Sequence, residues 1–201
     1  MARGVGVSEL SAYDAVILAG GRASRMGGVD KAALGLGGRS LLARVTDAVR
    51  DARQVVLVGP ERPGVRVDVV TREDPPGSGP VAGIGAALPY VTAPVTVVLA
   101  ADLPFLGWNQ VRRLREALER GPEVALAVDD RGRDQLLLAA WRTAALRSRV
   151  EALGDLTGVA VRRLLTGVEV DRLALERAPD GPPPWFDCDT EQDLRAAERW
   201  T

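Results

Sequence analysis

Short apolar runs alternate with amphipathic segments along most of the 201-residue chain. The runs DAVILA (14–19), QVVLV (54–58) and PVTVVLA (94–100) are almost continuously apolar, which is typical of strands buried on both faces of a parallel sheet. Further strands are predicted at 65–70, 124–128, 135–141 and 168–170.

Between these runs, apolar residues recur at helical spacing. After Ser40, a candidate N-cap, the apolar residues between 41 and 49 share one face of a helix predicted to end near residue 52. Other helices are predicted at 81–88, 108–119, 143–153, 159–165 and 190–200, the last capped by Asp189 or Thr190.

The alternation of strands and helices predicts one α/β domain spanning residues 1–201, with 1–12 as a flexible N-terminal tail. Its expected architecture is a three-layer α/β/α sandwich around a mostly parallel, Rossmann-like sheet. In such sheets ligands bind beyond the carboxyl ends of the strands. Candidate functional residues are therefore sought directly after the predicted strands.

Charge and composition narrow the classes of function. Lys and Arg total 26 and Asp and Glu total 27, so no net field favours nucleic acid or an anionic membrane. The chain has no histidine and a single cysteine, Cys188, which excludes histidine catalysis and a cysteine-rich zinc site. Because no apolar run approaches membrane-spanning length, we expect a soluble, cytoplasmic protein.

The segment 18–31, LAGGRASRMGGVDK, follows the first predicted strand. Its glycines let backbone N–H groups approach and surround an anion, and Arg25 and Lys31 add positive charge. This combination indicates a polyphosphate site.

Neither of two common phosphate-binding patterns fits this segment. The Walker pattern requires Gly-Lys-Ser/Thr, whereas Lys31 lies between Asp30 and Ala32. The dinucleotide pattern requires Gly-x-Gly-x-x-Gly, whereas Gly20 and Gly21 are adjacent. A Walker-type kinase and a Rossmann dehydrogenase are both disfavoured.

Two more segments follow predicted strands. REDPPGSGP (72–80) is a loop, because its prolines and glycines exclude a regular helix or a central strand. Asp102 follows the run 94–100, and one carboxylate beside a triphosphate is what Mg²⁺ uses in proteins. An aspartate that only caps the next turn is the alternative for this position.

These segments together resemble the molybdenum cofactor guanylyltransferases. Their signature L-x-G-G-x-x-x-R-M-G-x-x-K is similar to 18–31, with Lys31 one residue later than the shortest spacing. The matching residues are Leu18, Gly20, Gly21, Arg25, Met26, Gly27 and Lys31. GPVAG (79–83) resembles the family's G-P-L-A-G, and DTEQDL (189–194) resembles its N-T-P-E-D-L, with aspartate for asparagine and glutamate for proline.

The resemblance implies a set of site residues. Those expected to contact the nucleotide are Leu18, Ala19, Gly20, Gly21, Lys31, Asp74, Gly79, Pro80, Gly83 and Asp102. Arg25, Lys31 and Asp102 would be catalytic, the two cations by balancing charge on the triphosphate. Asp102 would bind Mg²⁺, for which Mn²⁺ could substitute. Asp189 is a candidate second metal ligand, with Asp187 as an alternative; for Asp189, a helix cap is the competing interpretation.

The implied reaction is transfer of GMP from GTP to the terminal phosphate of molybdopterin, with or without its molybdenum. Arg133 and Gln135 are expected near this acceptor. Transient contact with proteins that handle molybdopterin or mature molybdoenzymes would follow from such a role. No nucleic acid or membrane partner is expected.

Two other functions stay open. Cytidylyltransferases share the fold and chemistry, but their loop resembles L-A-A-G where this chain has LAGG (18–21), so Gly20 favours guanine. A nucleotide-binding regulatory domain without turnover is the non-enzymatic alternative.

Overall fold

A computed structural model describes residues 12–20, 34–177 and 180–201 of the chain. Within these ranges the strands are β1 Tyr13–Leu18, β2 Gly35–Leu36, β3 Arg39–Ser40, β4 Gln54–Val58, β5 Val69–Thr71, β6 Val95–Ala100, β7 Val124–Val128, β8 Asp134–Arg142 and β9 Val170–Ala174. The α-helices are α1 Leu41–Ala48, α2 Pro80–Ala87, α3 Trp108–Ala117, α4 Thr143–Leu153 and α5 Glu191–Glu198. Turns of 3₁₀ helix occur at Leu88–Tyr90, Leu118–Arg120 and Val161–Leu165.

Seven strands form one central sheet in the order β5-β4-β1-β6-β8-β7-β9. The first four of these run parallel to one another, and β9 runs parallel to β7. Strand β8 is antiparallel to both of its neighbours. The predicted mostly parallel sheet is confirmed, and β1 lies inside it between β4 and β6, with all six of its residues buried.

Helices cover both faces of this sheet, which confirms the predicted three-layer sandwich. Helices α1 and α3 pack on one face through Leu42, Val45, Val111 and Leu114. Helices α2 and α4 pack on the other through Val81, Ile84, Leu146 and Val150. Successive residues of a strand point to opposite faces, so Ile17 belongs to the first layer and Val16 to the second.

A third apolar cluster lies beside the sheet, where helix α5 meets the β2–β3 hairpin. Leu36, Leu41, Cys188 and Ala197 are buried in it. Helix α5 begins at Thr190, whose hydroxyl accepts the N–H of Asp193 while the Asp193 carboxylate accepts the Thr190 N–H. This reciprocal capping box makes Thr190, not Asp189, the N-cap.

The third strand lies later than the sequence pattern indicated. Val65 and Val67 pack against the core from an irregular segment, and β5 begins only at Val69. Asp68 explains the delay, because both its backbone N–H and its carboxylate are committed to Val55, at 2.9 and 2.7 Å.

Three other boundaries also differ from prediction. Helix α1 ends at Ala48 rather than near residue 52. The predicted helix at 159–165 is the short 3₁₀ turn, bounded by two glycines with positive φ, Gly158 and Gly167. The edge strand predicted at 168–170 is β9, displaced because it pairs with the full length of β7.

Some predictions fall on residues that the structure does not describe. The tail at 1–12 lies outside the described ranges apart from residue 12, and so does most of the glycine-rich segment, residues 21–31. Within the described ranges, no helix combines the length and apolar character needed to cross a membrane.

Candidate functional site

The carboxyl ends of three parallel strands, β4, β1 and β6, are joined by backbone hydrogen bonds at one edge of the sheet. The Ala19 N–H donates to the Val58 oxygen at 2.8 Å, and the Ala101 N–H donates to the Leu18 oxygen at 3.1 Å. The segments that leave β1 and β6 therefore start side by side. This edge is where parallel α/β sheets bind ligands.

Gly59 lets the chain after β1 cross this edge. Its φ is 144°, and a Cβ there would lie 2.9 Å from the carbonyl carbon of Ala19 and 3.2 Å from the nitrogen of Gly20. Only glycine permits this close approach of two backbones. Gly59 was not predicted as a site residue, although a glycine directly after an apolar run was a signal for it.

A cavity of about 430 Å³ opens at this edge, and we call it the strand-end cavity. Its lining is Leu18, Gly20, Val58, Glu73, Gly77, Gly79, Pro80, Gly83 and Leu137. Five of the residues predicted to contact the nucleotide are thus brought together here, from β1 and from the loop that leads into α2.

Glycines shape the wall of the strand-end cavity that α2 forms. Gly79 precedes the helix with a φ of 100°, and Pro80 is its first residue. A Cβ on Gly83 would stand 3.1 Å from Val58 Cγ1 and 3.4 Å from Leu18 Cδ2, so glycine allows α2 to pack close to the ends of two strands.

The loop before α2 is held by its own hydrogen bonds. Glu73 Oε1 accepts the Gly77 N–H at 2.9 Å, and the Ser78 hydroxyl donates to the Pro75 oxygen at 2.6 Å. The Gly158 N–H donates to the Ser78 oxygen at 2.7 Å. These bonds fix the loop whose glycines face the cavity.

A second cavity, of about 350 Å³, adjoins the first, and we call it the carboxylate cavity. Its lining is Ala100, Asp102, Leu103, Asp134, Gln135, Leu136, Leu137, Leu138, Val161, Trp185 and Asp187. Leu137 lines both cavities, so the two cavities meet at this residue.

Asp102 and Asp187 share this second cavity because the Cys188 N–H donates to the Asp102 backbone oxygen at 3.1 Å. Cys188 itself is fully buried, so its neighbour Asp187 turns outward. Asp189, predicted as the second metal ligand, is not among the residues that line the cavity.

Two carboxylates suit an ion that takes its other ligands from a substrate. Mg²⁺ keeps several waters and binds one or two protein carboxylates together with phosphate oxygens. Among the residues that the structure describes, no three acidic or cysteine side chains form a cluster able to hold a metal by themselves. Asp102 and Asp187 therefore fit an ion that arrives with a phosphorylated ligand.

The two residues predicted to lie near the acceptor do not lie in the same cavity. Gln135 lines the carboxylate cavity, whereas Arg133 is not part of its lining. Asp129 accepts the backbone N–H of Arg133 at 2.9 Å and its guanidinium at 2.6 Å. These bonds, chiefly the one from the backbone N–H, hold the pKa of Asp129 below its usual value.

Other predicted contacts lie elsewhere. Asp74 lines a separate cavity, bordered by the outer side of α2 and by residues 154–157. Ala19 is half-buried beside the strand-end cavity. Arg25, Lys31 and Gly21 lie outside the described residues, so their predicted roles stay predictions.

Comparison with known proteins identifies the family. The profile of the MobA-like NTP transferase domain matches residues 15–173, which include most of β1, the strands beside both cavities and Asp102. The chain belongs to this family. A molybdenum cofactor guanylyltransferase of Rhizobium johnstonii is 34% identical over 195 residues, covering 92% of this chain and 91% of that protein.

Solved structures show the same NTP transferase fold. The molybdopterin-guanine dinucleotide biosynthesis protein A of Archaeoglobus fulgidus has a TM-score of 0.68 at 22% identity, covering 92% of this chain and 97% of its own. A 2-C-methyl-D-erythritol 4-phosphate cytidylyltransferase of Thermus thermophilus has a TM-score of 0.69 at 23% identity, covering 94% and 98%. Because the fold is common to enzymes named for different bases, it does not by itself select one.

The charge around the two cavities is one-sided. Among the described residues that line the two cavities, the charged side chains are Glu73, Asp102, Asp134 and Asp187. Asp134 is already paired with Arg172, at 2.7 and 3.0 Å. A triphosphate here needs positive charge from a metal ion and from residues outside the described ranges, which is the role predicted for Arg25 and Lys31.

Glu73 and Leu137 are among the cavity-lining residues that were not predicted as site residues. Glu73 is the sequence neighbour of Asp74, and nothing in the sequence spacing indicated which of the two carboxylates would face the strand-end cavity. Leu137 is an apolar residue inside a predicted strand, a pattern that indicates core packing and gives no sign of a ligand.

Proposed function

We propose that this protein transfers GMP from GTP to the terminal phosphate of molybdopterin and releases pyrophosphate. The observation that carries this proposal is the pair of adjoining cavities, one lined by glycines at the strand ends and one lined by Asp102 and Asp187 together with Asp134, whose carboxylate is paired with Arg172. The first suits a nucleoside and the second suits the reacting phosphates. The 34% identity to a molybdenum cofactor guanylyltransferase supports the choice of donor and acceptor.

In this proposal the base and ribose of GTP occupy the strand-end cavity. Gly20, Gly77 and Gly79 expose backbone there, and backbone groups can bind a purine edge without side chains. Leu137 would then lie near the boundary between the nucleoside and the phosphates. That placement directs the α-phosphorus toward Asp102.

The phosphates occupy the carboxylate cavity, where Asp102 and Asp187 would hold Mg²⁺. The ion would supply charge neutralisation on the donor phosphates, and Mn²⁺ could replace it. Arg25 and Lys31 would add charge balance from the glycine-rich segment, since the leaving pyrophosphate gains negative charge.

The reaction needs no group to remove a proton. A terminal phosphate of molybdopterin is already ionised, so one of its oxygens attacks the α-phosphorus directly. A new phosphorus–oxygen bond forms as the bond to the bridging oxygen of the β-phosphate breaks, and that oxygen leaves with pyrophosphate. The absence of histidine from the chain is consistent with catalysis by positioning and charge alone.

Cytidylyl transfer is the competing function, because an enzyme named for that chemistry shares the fold. Gly20, where the resembling cytidylyltransferase loop has alanine, favours guanine. Mass analysis of the product formed from molybdopterin with equal GTP and CTP separates the two. The proposal expects the guanine dinucleotide, and formation of the cytosine dinucleotide alone would overturn it.

A further inference from the structure

Glu73 is a charged side chain that lines the strand-end cavity, where the nucleoside is proposed to bind. It follows β5 by two residues and lines the strand-end cavity together with Gly20. Among the described residues of that lining, no other side chain carries a charge. A carboxylate beside a base-sized cavity must meet a ligand that offers hydrogen-bond donors, because an ionised carboxylate only accepts.

The position of Glu73 is fixed from the loop. Its Oε1 accepts the Gly77 N–H at 2.9 Å, which ties the side chain to the cavity wall. The two oxygens of a carboxylate can together accept about four hydrogen bonds, so this one leaves capacity for a ligand.

Gly20 leaves open the space in front of Glu73. A Cβ on Gly20 would stand 4.0 Å from Glu73 Oε1 and 3.8 Å from the Val58 oxygen. Both distances are ordinary contacts, so the fold itself would accept alanine at this position. Because Gly20 has no side chain, a ligand in the cavity has access to the Glu73 carboxylate.

Guanine is the base that matches a carboxylate. Its Watson–Crick edge presents two adjacent donors, N1–H and the N2 amino group, which can bind both oxygens at once. Adenine and cytosine place a ring acceptor beside their single amino group, and uracil places a carbonyl on each side of its N–H. Each of these would bring an acceptor toward the carboxylate.

We infer that Glu73 selects guanine, with its carboxylate accepting hydrogen bonds from N1–H and the N2 amino group of the base. This inference rests on the proposed function, and it names the side chain that chooses the base within it. Gly20 contributes by leaving the approach clear.

The test compares GTP with ITP, whose base lacks the N2 amino group. Equilibrium binding of each nucleotide to the full chain is measured by calorimetry for the wild type and for E73Q. Glutamine keeps an oxygen for the Gly77 N–H but turns a donor toward the base. The wild type should bind GTP at least about tenfold more tightly than ITP, the range of a hydrogen bond to a charged group. In E73Q this ratio should fall to about threefold or less.

The matched control is E61Q, at an exposed glutamate that lines neither cavity, which should keep the wild-type ratio. Should E73Q fail to fold, E73D replaces it, because the shorter side chain withdraws the carboxylate from the base and should lower the same ratio. An unchanged GTP-to-ITP ratio in the folded variant, or a wild type that binds both nucleotides equally, would overturn the inference.

Turnover distinguishes this failure from failure of the proposed function. If the protein turns over GTP while E73Q keeps the wild-type ratio, only the role of Glu73 is lost. If it turns over CTP and not GTP, the proposed function and the role of Glu73 are both overturned.

Discussion

The backbone N–H of Cys188 donates to the backbone oxygen of Asp102, at 3.1 Å. This bond joins the segment that leaves β6 to the segment that precedes α5, two parts of the chain that are distant in sequence. Its consequence is that Asp187 lines the same cavity as Asp102. The account of the site depends on this pair of carboxylates.

Replacing Asp102 by asparagine should abolish most activity. The amide keeps the size of the side chain but loses the charge that would hold Mg²⁺ beside the phosphates. We expect GTP turnover to fall by at least about 100-fold, as when a group that stabilises the transition state is removed. Pyrophosphate release measures the rate, and an unchanged circular dichroism spectrum and melting temperature show that the variant is folded. Near wild-type turnover with magnesium would contradict the role of Asp102.

Asp187 and Asp189 provide a matched pair of variants two residues apart. In D187N the Mg²⁺ concentration for half-maximal turnover should rise about tenfold, because the variant removes one of the two carboxylates proposed to hold the ion. In D189N it should change by less than about threefold, since Asp189 does not line the cavity. A magnesium titration of both variants decides between them. The opposite order would restore Asp189 as the metal ligand.

Trp200 anchors the C-terminal end of the chain beside the carboxylates. Its ring makes edge contacts with Phe105 and Phe186, with centroids 5.7 and 5.6 Å apart. Trp200 is 41% exposed, so the ring contacts rather than buried area should dominate its contribution. Its removal should therefore lower the free energy of unfolding by about 1–3 kcal/mol, the worth of two aromatic pairs. Urea unfolding of W200A measures this loss, and W200F should recover most of it.

The same variant should also weaken the response to magnesium. Phe105 and Phe186 flank the segments that carry Asp102 and Asp187, so loosening the ring cluster should raise the Mg²⁺ requirement several-fold. W108A is the control, because Trp108 packs against Arg50 and Arg112 and lines neither cavity. An equal rise in both variants would mean that general destabilisation, not positioning, is responsible.

Variants of Gly20 and Gly59 distinguish a glycine that ligand binding requires from a glycine that folding requires. In G20A the added methyl meets only ordinary contacts with the residues that the structure describes, so the unfolding free energy should stay within about 0.5 kcal/mol of wild type while GTP binding weakens. In G59A the φ of 144° and the 2.9 Å approach to Ala19 should destabilise the protein by about 2 kcal/mol or more. Chemical unfolding and GTP titration of both variants provide the comparison. A G20A variant as unstable as G59A would show that the fold, not the ligand, requires Gly20.

Much of the fold could be predicted, because buried strands and helices have apolar residues in runs or at regular spacing along the sequence. The strands at 54–58 and 124–128 and the helix at 143–153 have the predicted bounds, since each is defined by an apolar run or a helical repeat. Strand β9 was misplaced because its half-buried residues alternate weakly with charged ones and its position is set by pairing with β7. That pairing is a tertiary property.

The grouping of the candidate site residues could be predicted where glycine spacing defined it, and it was ambiguous where two similar side chains were close. Leu18, Gly20, Gly79, Pro80 and Gly83 meet in one cavity, as their motifs indicated. Asp187 and Asp189 are two residues apart and would point to the same side if the segment were extended, so spacing alone could not separate them. The bond from Cys188 to Asp102 places Asp187 in the cavity, and a single long-range hydrogen bond has no local signal in sequence.

The most direct test of the central claim is pyrophosphate release with molybdopterin and each of the four nucleoside triphosphates in turn. Reactions without molybdopterin measure background hydrolysis. The account predicts magnesium-dependent release with GTP that requires molybdopterin and exceeds release with CTP, ATP or UTP by at least about tenfold. Preferential release with CTP, or GTP binding with no release at all, would contradict it.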